Sequence, residues 1–297
     1  MPTSNSVSIA DLRNLRLHRP EEVARAAARR MRRPLVGESG KLMLIAADHP
    51  ARGALGVRGD ALAMADRGEL LRRLVAALDR PGVDGVLATP DIVEDLLLLG
   101  ALDGKVVLGS MNRGGIQGSG FELDDRFTAY DAQSIVEVGL DGGKMLLRID
   151  PADASTVVTL ESCGRAVTDL ARRQRAAMVE PFMAYWANGR VHNDLSTDAV
   201  IRSVAIASGL GATSAYTWLK LPVIDEMERV MAATTLPTLL LGGDPSGAPD
   251  ETYAAWEKAL AVSGVSGLIV GRALLYPPDG DVEAAVDAAV GLVGAAR

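Results

Sequence analysis

The chain has 297 residues, a net charge of −7, 48% hydrophobic and 23% charged residues, one cysteine and three histidines. This is ordinary globular composition, which excludes wholesale disorder, and the negative charge removes the broad basic field that non-specific nucleic-acid binding needs. Cys163 alone cannot close an intramolecular disulfide, and histidines at 18, 49 and 192 leave little material for a histidine-rich metal site.

Residues 1–40 read as a helical extension ahead of a single larger domain, 41–297. No apolar core precedes a cleavage site, so no secretory signal is expected. The longest uncharged stretch, Ser203 to Leu219, is broken by Ser, Gly and Thr and is too polar to span a bilayer. A cytoplasmic location is expected, without a membrane or nucleic-acid partner. Eight arginines lie between 13 and 33. They make either a targeting or phosphate-binding arm, or a solvated helix over Pro20–Arg32. That helix would open on Pro20, Glu21 and Glu22 and carry its positive charge at the C-terminal end, complementing the helix dipole. It is predicted to close the bottom of the fold that follows.

From Lys41 onward, short apolar runs alternate with longer segments of helical spacing. The runs are Leu42–Ala47, Gly85–Ala88, Val106–Leu108, Met145–Ile149, Ala177–Met183, Thr213–Leu219, Pro237–Leu241 and Val265–Val270. Each has the length of a strand buried on both faces, the mark of a parallel sheet. Helices are predicted over Glu69–Asp79, Pro90–Leu102, Thr128–Leu140, Val157–Arg175, Thr197–Ser208, Pro222–Ala233, Glu251–Ser263 and Asp281–Ala295. Eight strands alternating with eight helices give an α/β fold of the (β/α)₈ TIM-barrel type. An open doubly wound sheet would want a Gly-x-Gly-x-x-Gly turn after the first strand, and there is none.

A barrel of this kind places its chemistry at the C-terminal strand ends. Counting in steps of two sets Leu42, Leu44, Ala46 and Asp48 on one side of the first strand. Lys144, Leu146 and Arg148 share a side of the fourth, Met178, Glu180 and Phe182 of the fifth, and Ser214, Tyr216, Trp218 and Lys220 of the sixth. If these sides face the axis, Asp48, Lys144, Arg148, Glu180 and Lys220 converge, and buried ionisable groups on separate strands are expensive to explain as packing. A lysine among carboxylates in a dry barrel suits Schiff-base chemistry. Its amine must be neutral to attack a ketone, and burial with a neighbouring cation lowers its pKa. Lys220 then reads as the nucleophile and Lys144 as the cation, or Lys220 is a rim lysine at the start of the next helix.

These residues resemble the class I (Schiff-base-forming) aldolases of the DeoC/LacD/FbaB-like (β/α)₈ group. The resemblance is nearest to tagatose-bisphosphate aldolase and to an actinobacterial aldolase-like barrel subgroup associated with inositol catabolism. It covers Lys41 to the C-terminus. Its anchors are Ala47-Asp48-His49-Pro50, Gly143-Lys144-Met145-Leu146-Leu147, Val179-Glu180-Pro181, Trp218-Leu219-Lys220, Leu241-Gly242-Gly243 and Val270-Gly271-Arg272. The resemblance implies Lys220 as the Schiff-base lysine and Lys144 as the second active-site lysine. It implies Glu180 as an acid/base or orienting group, and Asp48 as a contact to substrate hydroxyls or a proton carrier. Two positions depart from the pattern: Arg148 stands where the tagatose-type enzymes have Tyr, and Pro50 where related fructose-bisphosphate enzymes have Gly.

Phosphate binding has its own signal, because barrels often hold phosphate on the last two loops. Gly242 and Gly243 allow close approach of backbone N–H groups, Gly271 and Arg272 add a turn and a fixed cation, and Ser246 and Gly247 extend the cradle. The alternative is two ordinary turns with Arg272 in a surface ion pair. The glycine-rich third loop, Gly109 to Gly120, carries Asn112 and Arg113. It serves either as a lid that sets Arg113 beside Arg148, or as a flexible loop with Arg113 paired to Glu122 or Asp124. His49 is expected to brace the scaffold, and His192 to be exposed on the loop Ala187–Asp194. Tyr216 and Trp218 either stack on substrate or fill the barrel, and Cys163 packs within a helix.

The resemblance implies cleavage of a phosphorylated ketose or keto acid to dihydroxyacetone phosphate and an aldehyde, with no cofactor and no metal, by an enzyme expected to be a homo-oligomer. Arg113 and Arg148 are surplus to one phosphate, which favours an anionic tail and hence 5-dehydro-2-deoxy-phosphogluconate. The alternatives are a fructose, tagatose or sulfofructose phosphate aldolase, a histidine-dependent class II aldolase, or a non-catalytic phosphosugar-binding barrel.

Overall fold

The computed structural model describes residues 7–243 and 248–296. Among the described residues nine strands form one sheet: β1 Leu42–Ala47, β2 Gly85–Ala88, β3 Val106–Ser110, β4 Gly142–Ile149, β5 Ala176–Ala187, β6 Arg190–Asp194, β7 Thr217–Leu221, β8 Thr238–Leu241 and β9 Val265–Val270. Eight are parallel and close into a barrel in the order β1-β2-β3-β4-β5-β7-β8-β9, with β9 returning to β1. The ninth, β6, runs antiparallel to the upper part of β5 and stands outside the ring. The (β/α)₈ barrel expected from the alternating runs is the fold of the chain.

Alternation along the strands sorts side chains between two cores. Leu42, Leu44, Ala46, Leu87, Val106, Leu108, Met178, Leu239 and Ile269 fill the barrel interior. Met43, Ile45, Met145, Leu147, Val179 and Leu219 point outward and belong to the larger core shared with the helices. Helix Arg67–Asp79 contributes Leu70, Leu71, Leu74 and Leu78 to that layer, each burial stabilising by about 2 kcal/mol. Its N-cap is Asp66, whose side chain accepts the Glu69 N–H, and Ser196 and Asp281 cap helices Thr197–Ser208 and Val282–Ala295 in the same way.

The first and last barrel strands meet with Leu42 opposite Gly267 and Ile45 opposite Val270. Gly267 has φ +133°, and a Cβ there would run into the Leu42 carbonyl.

Below the barrel, the helix read over Pro20–Arg32 is shorter, Glu22–Arg29, and a preceding helix spans Leu12–His18. The residues after it form the floor. Leu35 and Val36 pack against the interior core. Arg30 donates to the carbonyls of Lys105 and Gly139, Arg32 pairs with Asp141 at 2.9 Å, and Arg33 pairs with Asp84 at 2.6 Å. These arginines are structural pins rather than a solvated face.

The helix expected over Thr128–Leu140 shortens to Ala132–Glu137, and three further expectations shift. The sixth apolar run becomes a strand only from Thr217, because residues 213–216 form a turn closed by the Thr217 N–H on the Ser214 carbonyl. The helix expected from Pro222 begins at Met227, so Pro222 lies in the loop. The loop Ala187–Asp194 is a hairpin: Asn188 and Gly189 both adopt left-handed backbone (φ 53° and 72°) and join β5 to β6, with His192 stacked on Tyr185. Among the described residues, no helix is long and apolar enough to cross a membrane.

Candidate active site

The inward-facing positions bring the charged residues together. Asp48 follows β1 and is fully buried. Lys144 and Arg148 come from β4, Glu180 from β5 and Lys220 from the upper part of β7, all essentially buried. Lys220 Nζ donates to Glu180 Oε1 at 2.9 Å. Lys144 Nζ bonds the other oxygen, Glu180 Oε2, and also Asp48 Oδ2 at 3.2 Å. Asp48 Oδ2 accepts from Ser110 Oγ at 3.3 Å and pairs with Arg113, whose Nε bonds Ser110 Oγ at 3.1 Å. The outcome is one chain of alternating charge, Lys220–Glu180–Lys144–Asp48–Arg113, at the bottom of a cleft of about 710 Å³. Lys220 lines the cleft, whereas Lys144 lies behind the carboxylates.

Burial pushes the Lys220 amine below the ordinary lysine range. Glu180 opposes the shift, while Arg113 and Arg272 add to it. Lys144 is driven well below by burial and then by Arg113. For Glu180 burial favours the neutral acid, but Lys144 and Lys220 overcome it and hold the carboxylate below its usual range. Burial also lowers Arg113, to about 10. The His49 ring is kept neutral by burial and by Arg272 and Lys220.

Asp48 Oδ1 and His49 Nδ1 are buried, 3.8 Å apart, and neither has a partner among the described residues. His49 lines the cleft, so the expectation that it turns away as a brace is corrected: the turn after β1 brings both neighbours to the mouth.

Other expected residues divide. Gly242, Gly243, Gly271 and Arg272 all line the cleft at the ends of β8 and β9. A Cβ on Gly242 would strike Val270, and one on Gly271 the Ala46 carbonyl, whereas Gly243 is glycine for its φ of +71°. Ser246 and Gly247 lie outside the described residues. Trp218 is not a cleft residue: two positions below Lys220, it packs against the interior core, and Tyr216 lies in the turn before β7. Cys163 is buried in helix Ser155–Arg172, its thiol raised to about 12 by burial.

The arginines require the largest correction. Arg148 is not a surplus cation: Nε and Nη2 grip Asp125 at 2.8 and 2.6 Å, and Nη1 reaches Glu122 at 3.2 Å. Arg113 pairs with Asp48 rather than with Glu122 or Asp124. The third loop is folded, not free, because Asn112 donates to the Leu146 and Asp125 carbonyls and accepts the Leu146 N–H.

Residues that the sequence reading missed are Ser110, Asp125 and Arg52, the last donating to Glu122 at 3.0 Å, and Glu122 was read there only as a partner for Arg113. For Glu122 and Asp125 the sequence signal is the acidic cluster Glu122-Leu-Asp-Asp125 closing a glycine-rich loop, and Ser110 and Arg52 have none. The hairpin, by contrast, had a readable one: Asn188-Gly189 between two alternating segments. It brings Val191, Asn193 and Leu195 to the cleft. Among the described residues, no three His, Cys, Asp or Glu side chains converge as metal ligands would.

Comparison with known proteins adds a family. The model described as Cgl0159-like matches residues 40–290, and no curated protein matches. The crystal structure of Cgl0159 from Corynebacterium glutamicum is 59% identical, covers 96% of both chains and superposes with a TM-score of 0.94. An archaeal fructose-1,6-bisphosphate aldolase, solved with its catalytic lysine bound to the carbinolamine intermediate of the substrate, is 19% identical over 91% of this chain and 99% of its own, TM-score 0.67. The fructose-bisphosphate aldolase of Slackia heliotrinireducens is 14% identical over 97% and 92%, TM-score 0.58. The two aldolases share the fold. The chain belongs to the Cgl0159-like family.

Proposed function

We propose that this member of the Cgl0159-like family is a metal-independent class I aldolase. It cleaves a phosphorylated ketose or keto acid to dihydroxyacetone phosphate and an aldehyde through an imine on Lys220. The observation that carries the reading is the Lys220 amine, buried on the cleft floor and hydrogen-bonded to a carboxylate that a second buried lysine also holds. The fold shared with an aldolase whose catalytic lysine binds its substrate covalently supports it.

In this mechanism neutral Lys220 attacks the ketone carbon. One amine proton passes by way of Glu180 to the carbonyl oxygen to give the carbinolamine. A second proton, taken up from solvent through Glu180, lets the hydroxyl leave as water and gives the iminium. The substrate C3–C4 bond then breaks, its electron pair moving to the iminium nitrogen to form an enamine, while a carboxylate takes the proton of the C4 hydroxyl. Asp48, with an idle oxygen, is assigned that task. Lys144 holds Glu180 ionised, and burial with Arg113 and Arg272 disfavours protonation of Lys220. Gly242, Gly243, Gly271 and Arg272 hold the phosphate, and Arg113 and Arg148 set the carboxylates rather than bind an anion. The case for 5-dehydro-2-deoxy-phosphogluconate, whose cleavage gives malonate semialdehyde, rested on free cations at Arg113 and Arg148, and their pairing withdraws it.

Borohydride added with dihydroxyacetone phosphate should fix a stable mass on the peptide containing Lys220. Lys220→Arg should abolish both trapping and turnover, because guanidinium does not form the imine. An adduct on Lys144, with Lys220→Arg still active, would exchange the two lysines. Phosphosugar binding with no adduct and no turnover would make the protein a binding barrel instead.

A further inference from the structure

The mouth of the cleft is electrostatically unequal across its width. In the ring of eight strands β9 stands opposite β4. On the β9 side Arg272 donates to the Gly56 carbonyl at 3.3 Å and, among the described residues, forms no ion pair. It faces the cleft together with the three glycines. On the β4 side every cation is matched. Arg148 grips Asp125 with two nitrogens, and Glu122 receives Arg148 and Arg52 together.

This matching is built into the chain. Glu122 Oε2 accepts the Gly118 N–H at 2.7 Å, and Arg148 also donates to the Glu122 backbone carbonyl. Asn112 ties the same loop to β4. Gly115 lies against Arg148 and Asp125 with no room for a Cβ. Loop and strand thus hold Glu122 at the cleft wall and leave Arg148 no freedom to turn toward a ligand.

We infer that the site takes a ketose carrying one phosphate, at the end nearest the reacting carbonyl, with an uncharged hydroxylated distal end, and that Glu122 sets this preference. The inference rests on the aldolase reading. A phosphate or carboxylate at the distal end would come against Glu122 in a partly desolvated wall, where Arg148 and Arg52 already have their charge matched by Asp125 and Glu122. A hydroxyl meets no such cost. It donates to Glu122 and accepts from Arg52, whose Nε is buried and, among the described residues, has no partner.

The test runs in the condensing direction and holds dihydroxyacetone phosphate constant while the aldehyde changes. Borohydride trapping of dihydroxyacetone phosphate comes first, because it reports the imine whatever the distal end. D-Glyceraldehyde should then be used with a kcat/KM at least about tenfold above that of D-glyceraldehyde 3-phosphate or malonate semialdehyde. Glu122→Gln, which keeps shape and removes one negative charge, should narrow that ratio by about tenfold, mainly by lowering KM for the charged aldehydes. Asp125→Asn should narrow it in the same sense and guards against a Glu122 variant that fails to fold. A charged aldehyde accepted as well as glyceraldehyde, or a ratio that both variants leave unchanged, would overturn the inference while the trapped imine kept the aldolase reading. No trapped adduct would instead remove the aldolase reading, and the inference with it.

Discussion

Arginine–carboxylate pairs are buried at both ends of the barrel, and the two ends differ in how completely the carboxylates are used. At the floor Asp141 Oδ1 takes Arg32, and its Oδ2 takes Arg30 and the Val107 N–H. Asp84 divides itself between Arg33 and the Met43 N–H. Each closes the ragged lower edge of a strand and has no oxygen left over. At the mouth Asp48 puts Lys144, Arg113 and Ser110 on one oxygen and leaves the other idle beside an equally idle His49 nitrogen. A buried polar atom without a partner costs about 1–3 kcal/mol, so a fold carries it where something else is to occupy it. The mouth has saturated carboxylates too, Glu180 and Glu122 among them, but the idle oxygen of Asp48 has no counterpart on Asp141 or Asp84 at the floor.

That contrast can be broken from either side. The largest effect should come from the floor. Asp141→Ala leaves the buried Arg30 charge without its counter-ion and the Val107 N–H without an acceptor, and should lower stability by about 3 kcal/mol, read as a lower urea midpoint, with the trapping rate per folded molecule unchanged. At the mouth Asp48→Asn should cost slightly less free energy but all of it in chemistry: kcat about a hundredfold lower, with the imine still trapped by borohydride. A loss confined to stability would place Asp48 with the floor carboxylates.

Protonation sharpens the comparison further. Lys220 must be neutral, so trapping should fall as pH drops through its lowered pKa and rise above it. Arg113→Met removes one of the cations that lower Lys220 and Lys144, both pKa values rise, and the acid limb should move to higher pH. A profile that stays in place would confine Arg113 to packing. The smallest change belongs to the hairpin. His192→Ala loses a stacked contact with Tyr185 worth about 0.5–1 kcal/mol and should shift KM by a small factor without touching kcat.

Much of this was legible from single residues. The strands announced themselves because both faces are buried, and steps of two put Lys144, Glu180 and Lys220 inside, since the period of a strand is fixed by its backbone. Strand ends carry a weaker signal: Thr213–Tyr216 is uncharged and runs straight into the strand, but it is spent on a turn. What could not be read was the company each arginine keeps. Arg148 looked free because its partners arrive from a loop more than twenty residues upstream, and no local pattern records where such a loop folds back. Trp218 shows the reverse error: sharing a side with Lys220 is not sharing a depth.

Gly267 gives the seam a place in the history of the chain. The first barrel strand leaves the ribosome more than two hundred residues before β9, the partner that completes the ring, so through most of synthesis β1 has one open edge with only β2 beside it. Contacts so distant in sequence form late and leave unpaired edges exposed in the interval. The closing strand meets β1 at residues without a side chain, Gly267 directly over the Leu42 carbonyl and Gly271 over that of Ala46. Gly267 therefore acts less as a part of the finished wall than as its latch. A side chain there would hold the ring ajar, with two adjoining edges free to pair with those of another chain.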